Sequence, residues 1–223
     1  QLGEEWPHEF LSIPLLTPEE TDAVKAALKA EGATIGLGFL ANVLSAAAET
    51  EPDGEISFLL STHNRPSANW APAIGWFAGV VPMTLKLGTD TSSRATYQAL
   101  ESTWDHNKGA SIVRMPEAAR RLSANIEPSF VISYMEGKHA PGSDRWAENR
   151  AKALLGPTPP GAQIHLWVSC MPEGTRLEIR YPTKPSCLAW IENLAVKSRE
   201  TLLATQSATS IKAAGTQGLI PCK

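Results

Sequence analysis

Cysteine is scarce in this sequence of 223 residues: three, at Cys170, Cys187 and Cys222, with no Cys-x-x-Cys pair. That spacing excludes a zinc ribbon or a dithiol redox motif. Cys170, inside an apolar run, reads as a buried thiol. So few cysteines, odd in number, fit a reducing, cytoplasmic setting. A surplus of either charge is also lacking. Lysine and arginine total 20 against 23 acidic residues, a net charge of −3. A nucleic-acid binder would carry a basic excess, so nucleic acid is not an expected partner. No apolar run reaches the roughly 20 residues that span a bilayer. The chain opens Gln1-Leu2-Gly3, without Met and without the basic-then-apolar segment of a secretory signal. Such a start fits processing or truncation.

Chemical signatures are missing as well. There is no Gly-x-Ser-x-Gly elbow, no phosphate loop and no dinucleotide glycine fingerprint. Gly36-Leu37-Gly38 lacks the third glycine and lies in a helical stretch, where it reads as a packing feature. None of the five histidines has an aspartate four positions later, and none shares a metal-ligand spacing with another. No metal or cofactor is therefore expected. His165, in an apolar strand run, reads as a satisfied core or edge histidine. His8 and His106 read as solvated, and His139 lies in a loop-like Gly/Pro segment.

What is present is enough apolar material, 43% of residues, for one large domain or one lobe of a larger protein. Residues 8–16 read as a strand. Thr17-Pro18-Glu19-Glu20 is a helix start, with Thr17 as cap, Pro18 in the first turn and Glu20 closing a capping box. Gly32 ends that helix. Thr34 opens a second one, about 35–48, apolar nearly all round and so buried. Residues 56–60 form a strand and 61–72 a polar loop. Residues 74–87 contain a further strand, in which the glycines and Pro82 suggest a bulge or bent entry. A helix over about 92–106 carries Tyr97, Leu100 and Trp104 at helical spacing. A shorter helix follows at 115–122 and a strand at 129–134. Residues 136–160 read as a long loop with one helical turn. A hairpin joins 163–169 to 176–181 through Pro172-Glu173-Gly174. An amphipathic helix over about 185–205 closes the domain, and 206–223 reads as a loose tail. The order predicts one α/β lobe with a mixed β-sheet and helices packed on it.

One region carries a more specific signal. A strand leads to Ser61-Thr62-His63-Asn64-Arg65-Pro66. About ten residues later comes Ile74-Gly75-Trp76-Phe77-Ala78-Gly79-Val80-Val81-Pro82-Met83-Thr84. This resembles the condensation-domain, chloramphenicol-acetyltransferase-like acyltransferases. There a strand ends in a turn closing on Asn-Arg or Gly-Arg, followed by Ile/Val-Gly-x-Phe-x-Asn-Thr-x-Pro-x-Arg. Ala30-Glu31-Gly32-Ala33-Thr34, between the first two helices, resembles the family's "gaT" junction. The resemblance extends over about residues 8–205. Gly79 and Thr84 replace the usual Asn and Arg of peptide-forming members. The Trp76 to Pro82 version looks closer to the mycobacterial polyketide-associated acyltransferases.

The resemblance implies an O-acyltransferase that moves a fatty or polyketide acyl group from a thioester, on CoA or a carrier protein, to a hydroxyl. The acceptor would be a sugar such as trehalose, or a lipid diol. It implies the C-terminal lobe of a two-lobed enzyme, whose general base is the histidine of a His-His-x-x-x-Asp-Gly motif in the N-terminal lobe. That motif is absent from residues 1–223, so no catalytic residue is assigned and this chain alone is expected to be inactive. The implied substrate-binding residues are Trp76, Gly75, Gly79, His63, Asn64 and Arg65. The implied partners are the N-terminal lobe, the acyl thioester and the hydroxyl acceptor, with peripheral membrane association. Two other readings are half of a peptide-synthetase condensation domain and a non-catalytic binding or scaffold protein.

Overall fold

A computed structural model describes residues 6–51, 54–63, 67, 69, 77–109, 130–139, 142–146, 148 and 163–216, with backbone only for 139 and 208–216. In chain order the elements are β1 (His8–Leu16), α1 (Pro18–Ala30), α2 (Ile35–Ala48), β2 (Glu55–His63), β3 (Ala78–Lys86) and α3 (Ser93–Asn107). Then follow β4 (Phe130–Glu136), β5 (Ile164–Met171), β6 (Gly174–Pro182) and α4 (Pro185–Thr216). Short 3-10 turns at Gly137–His139 and Ser143–Arg145 follow β4.

The strands form one six-stranded sheet in the order β1-β6-β5-β4-β2-β3. β2, β4 and β5 run parallel, while β1–β6, β5–β6 and β2–β3 are antiparallel. This is the mixed α/β lobe that the sequence predicts. The pleat sorts the side chains into two sets. Phe58, Leu60, Val81, Met83, Phe130, Ile132, Leu166, Val168, Leu177 and Ile179 point to one face. There they join a buried core with Val24, Leu28, Phe39, Val43, Leu44, Leu100, Ile191, Leu194 and Leu202 of the four helices. The opposite positions carry Ser57, Pro82, Thr84, Ser133, His165, Trp167, Arg176, Glu178 and Arg180.

α2 is the element that makes this core possible. From Leu37 to Ala48 every residue is buried, which requires an apolar surface all round. Its two glycines let neighbours approach. The ring of Tyr134 lies 3.0 Å from where a Cβ of Gly36 would stand, and Leu28 occupies the place beside Gly38 at 2.6 Å. α1 starts with the predicted capping box: the Thr17 hydroxyl accepts from the Glu20 N–H, and the Glu20 carboxylate accepts from the Thr17 N–H. Arg199 of α4 grips that same carboxylate with two N–H groups at 2.9 and 3.0 Å and also donates to the Leu15 carbonyl. The Arg199 hydrogen bond, then the Thr17 backbone, holds the Glu20 carboxyl below the usual carboxylate range.

Several details differ from the sequence reading. β2 does not stop at Leu60 but continues through Ser61, Thr62 and His63, because β3 offers a partner for each. The expected bulge in β3 is absent: pairing runs unbroken from Glu55–Lys86 to His63–Ala78. Pro82 is tolerated because β3 is an edge strand, where a residue without N–H can face away from the ladder. The irregularity lies instead in β1, between Pro14 and Leu16. α4 runs past residue 205 to Thr216, since no helix breaker precedes Gly215. His8 is half-buried rather than solvated, with Nε2 3.3 Å from the Gln163 carbonyl. The helix expected at 115–122 lies outside the described residues.

Candidate functional site

The β2–β3 ladder sets His63 opposite Ala78 and Thr62 opposite Gly79. It thereby holds together the two ends of the segment that carries the rest of the sequence signal. Asn64, Arg65, Gly75 and Trp76 lie outside the described residues. His63 and Gly79 do not share a face. His63 is exposed and aligns with Ser57, Leu59 and Ser61, whereas Gly79 is buried and aligns with the core positions Val81 and Met83. The pleat therefore puts these two of the implied substrate-binding residues on opposite faces.

Thr62, which faces Gly79 across the ladder, is the residue the sequence reading passed over. Its Oγ1 is buried and has no hydrogen-bond partner. A buried hydroxyl left unpaired costs about 1–3 kcal/mol, so natural structures seldom keep one without a use. Gly79, across the ladder, has no side chain to meet it.

The neighbouring parallel strands end at the same edge of the sheet. β2 and β4 are in register through Leu60 and Ile132, and Tyr134 and Glu136 follow Ile132 on the same face of β4. Here a polar network joins α1 to the sheet. Lys25 Nζ lies 2.9 and 3.0 Å from the two oxygens of Glu136. The Tyr134 hydroxyl donates to Glu136 at 2.7 Å. Cys170 Sγ is 3.4 Å from the Thr175 hydroxyl, which is 2.8 Å from that of Thr21.

Burial above all pushes the Tyr134 phenol far up, with Cys170 and Glu136 adding to it. Burial likewise raises the Cys170 thiol, against the pull of Thr175 and Tyr134. Both groups therefore keep their protons near neutrality, and Lys25 neutralises Glu136. Cys170 is not a thiolate nucleophile, and this network supplies shape and hydrogen bonds rather than a proton-accepting base. Its members are far apart in sequence, Lys25 and Glu136 by 111 positions, so no local motif could have announced it. Among the described residues, no group of three His, Cys, Asp or Glu side chains is placed to hold a metal.

A cleft of about 1010 Å³ opens elsewhere, between α2, α3 and α4. Part of its polar lining is paired within the cleft. Asn42 Oδ1 accepts from the Ser93 and Thr205 hydroxyls, Asn42 Nδ2 donates to the Gly38 carbonyl, and the Tyr97 hydroxyl donates to Glu101. It reads as a gap between helices, in contrast to the unmet hydroxyl at the β2–β3 edge.

This mixed sheet, with its buried α2 and its β2–β3 hairpin, is the fold of the C-terminal half of condensation-domain-like acyltransferases. By structure the chain is similar to a PapA2 acyl transferase, with a TM-score of 0.75 and 19% identity over 92% of this chain and 46% of that one. It is also similar to the epimerization domain from the third module of tyrocidine synthetase B, with a TM-score of 0.68 and 16% identity over 92% of this chain and 50% of the other. The condensation domain from the monacolin K polyketide synthase MokA matches with a TM-score of 0.67 and 13% identity over 92% and 48%. The chain thus spans about half the length of each. No family model and no curated protein matches the sequence.

Proposed function

We propose that this chain is the C-terminal lobe of an O-acyltransferase that passes a fatty or polyketide acyl group from a thioester to a sugar or lipid-diol hydroxyl. The observation that carries the reading is the β2–β3 edge. The Ile74-to-Pro82 signal ends in an ordered edge strand, and the Asn of the peptide-forming pattern is replaced by Gly79 opposite the unmet Thr62 hydroxyl. Thr84 supports the choice of hydroxyl over amine acceptor. It stands where peptide-forming members usually carry Arg, and here it bonds the Ser57 hydroxyl at 2.9 Å on the edge strand.

In this reading the lobe builds one wall of the acyl or acceptor path. Thr62 offers a hydrogen bond to an acceptor hydroxyl, and Trp76 offers an apolar face to the acyl chain or sugar ring. The general base is the histidine of the other lobe. The N-terminal lobe, the acyl thioester and the acceptor are the partners.

The test is thiol release from a long-chain acyl-CoA by the two-lobed enzyme, with and without trehalose. Sugar-dependent release that vanishes when the N-terminal lobe's histidine is changed to alanine is the expected result. Absence of acceptor-dependent release across sugars and diols would sink the reading. Acyl transfer to an amine but not to a hydroxyl would redirect it to the peptide-forming class.

A further inference from the structure

Among the described residues, five buried side-chain nitrogen or oxygen atoms lack a hydrogen-bond partner. The two hydroxyls are scattered, on Thr62 and Ser198. Of the three nitrogens, His8 Nδ1 and Arg180 Nε lie on one sheet face, and Trp6 Nε1 belongs to the residue two before His8 at the same β1–β6 end. We propose that Trp6, His8, Arg180 and Lys184 form a binding site for a phosphate-type oxyanion at the β1–β6 end of the sheet.

The pairing register places them together. Phe10, Arg180 and His165 form one cross-strand row, on the side away from the helices. His8 pairs with Pro182 in the next row. Beyond it, Thr183 N–H bonds the Pro7 carbonyl, and the Lys184 ammonium lies 5.9 Å from the centre of the Trp6 ring. Rows on one face repeat about every 6.8 Å, so His8 and Arg180 lie one row apart, with the Trp6–Lys184 pair just beyond the strand ends.

The positive charge here is held in place but not neutralised. Arg180 sits 5.5 Å over the Trp167 ring, a cation–π contact that fixes the guanidinium and leaves its fork of donors free. His165 stacks on the same Trp167 at 5.9 Å. Among the described residues, Arg180, Lys184 and His8 form no ion pair, whereas Lys25, Lys86, Arg145, Lys197 and Arg199 each do. Glu178, one row further along, is engaged by the Ser169 hydroxyl at 2.7 Å. The His165 ring reports the uncompensated field. Burial first, then Arg180 and His8, depresses its pKa to about 4.

The chemistry selects the ligand. Indole and guanidinium nitrogens only donate, so each demands an acceptor. His8 Nε2 faces the Gln163 carbonyl, which fixes the ring beside the two cations. Two permanent cations with several donors around them suit a dianion with three or more oxygens, which a phosphate supplies and a single carboxylate does not. The site stands apart from the acyl-transfer reading, and its test uses no activity.

The measurement is the indole N–H region of a nitrogen-15 spectrum, with the Trp6 signal assigned through Trp6→Phe. Inorganic phosphate and phenyl phosphate are titrated separately at constant ionic strength. A saturable shift at Trp6 is expected, weakened at least tenfold in Arg180→Gln and in Lys184→Gln. Each variant is checked for an unchanged unfolding midpoint, with His8→Gln as a third variant should either fail to fold. Tighter binding of phenyl phosphate would identify a phosphate ester as the ligand; equal or tighter binding of the inorganic ion would identify free phosphate. A Trp6 shift reproduced by sodium chloride, or left intact in folded Arg180→Gln, overturns the proposal.

Discussion

Thr62 and His165 show how single side chains hold functional possibilities that the fold alone does not require. Replacing Thr62 by Val keeps the shape and removes the unmet hydroxyl. Thr62→Val should raise stability by about 1 kcal/mol, read from urea unfolding, while lowering kcat/KM for the acceptor in the two-lobed enzyme. A residue serving only the fold would not trade one against the other. His165 sets a pH dependence. Its folded-state pKa, about 4, lies below the ordinary 6.5, so the unfolded chain takes up a proton first as the pH falls. The contribution of this residue is complete above about pH 6.5 and is lost progressively down to about 4. Its partial exposure limits the effect to about 1–2 kcal/mol. His165→Gln should flatten that part of the stability-versus-pH curve. Gly174, at φ +113°, turns the β5–β6 hairpin where a Cβ would lie 2.2 Å from the Leu16 carbonyl oxygen. Gly174→Ala is expected to cost about 2–4 kcal/mol in chemical denaturation.

At the scale of elements, the α1 capping box is tied to the end of the chain by Arg199. Glu20→Ala removes the cap and the ion pair together. Because Arg199 is 42% exposed, the expected loss is about 1–2 kcal/mol, seen as a lowered thermal midpoint. α1 and α2 were legible in the sequence because their signals are local: Thr17-Pro18-Glu19-Glu20 at one start, and an apolar run with Gly36 and Gly38 in the other. β2 was read too short because Ser61, Thr62 and His63 are polar, and only the matching length of β3 makes them a strand. Pro82 misled in the same way, since a proline signals a bulge or an edge and only the strand order says which. His63 and Gly79 were named from a motif that fixes spacing but not the pleat, which sends them to opposite faces. The Lys25–Glu136–Tyr134 network had no signal at all, being built from residues that meet only in the finished fold.

At the scale of the molecule, the sheet has one face committed to the helices and one face of mixed polar and aromatic character. Phe58 lies at the centre of the committed face, fully buried and stacked on Phe130 at 5.7 Å. Phe58→Ala is expected to cost about 3–5 kcal/mol, and unfolding followed by fluorescence and by circular dichroism should remain coincident if the lobe is one cooperative unit. The acyl-transfer reading also belongs to this scale, since it asks the β2–β3 edge to meet a second lobe.

The strand order carries a consequence for how the protein is made. Of the six described strands β1 is made before the others, yet its neighbour in the sheet is β6, and the Arg176–Ser12 contact that ties them joins residues 164 positions apart. At about 5–20 residues per second of synthesis, β1 waits roughly 8–30 s for its partner. Throughout that interval Leu11, Ile13 and Leu15 stand on a strand with no pairing edge to meet. Of the six strands, β1 is thus left longest without its partner, and the ribosome's pace sets how long it must be sheltered.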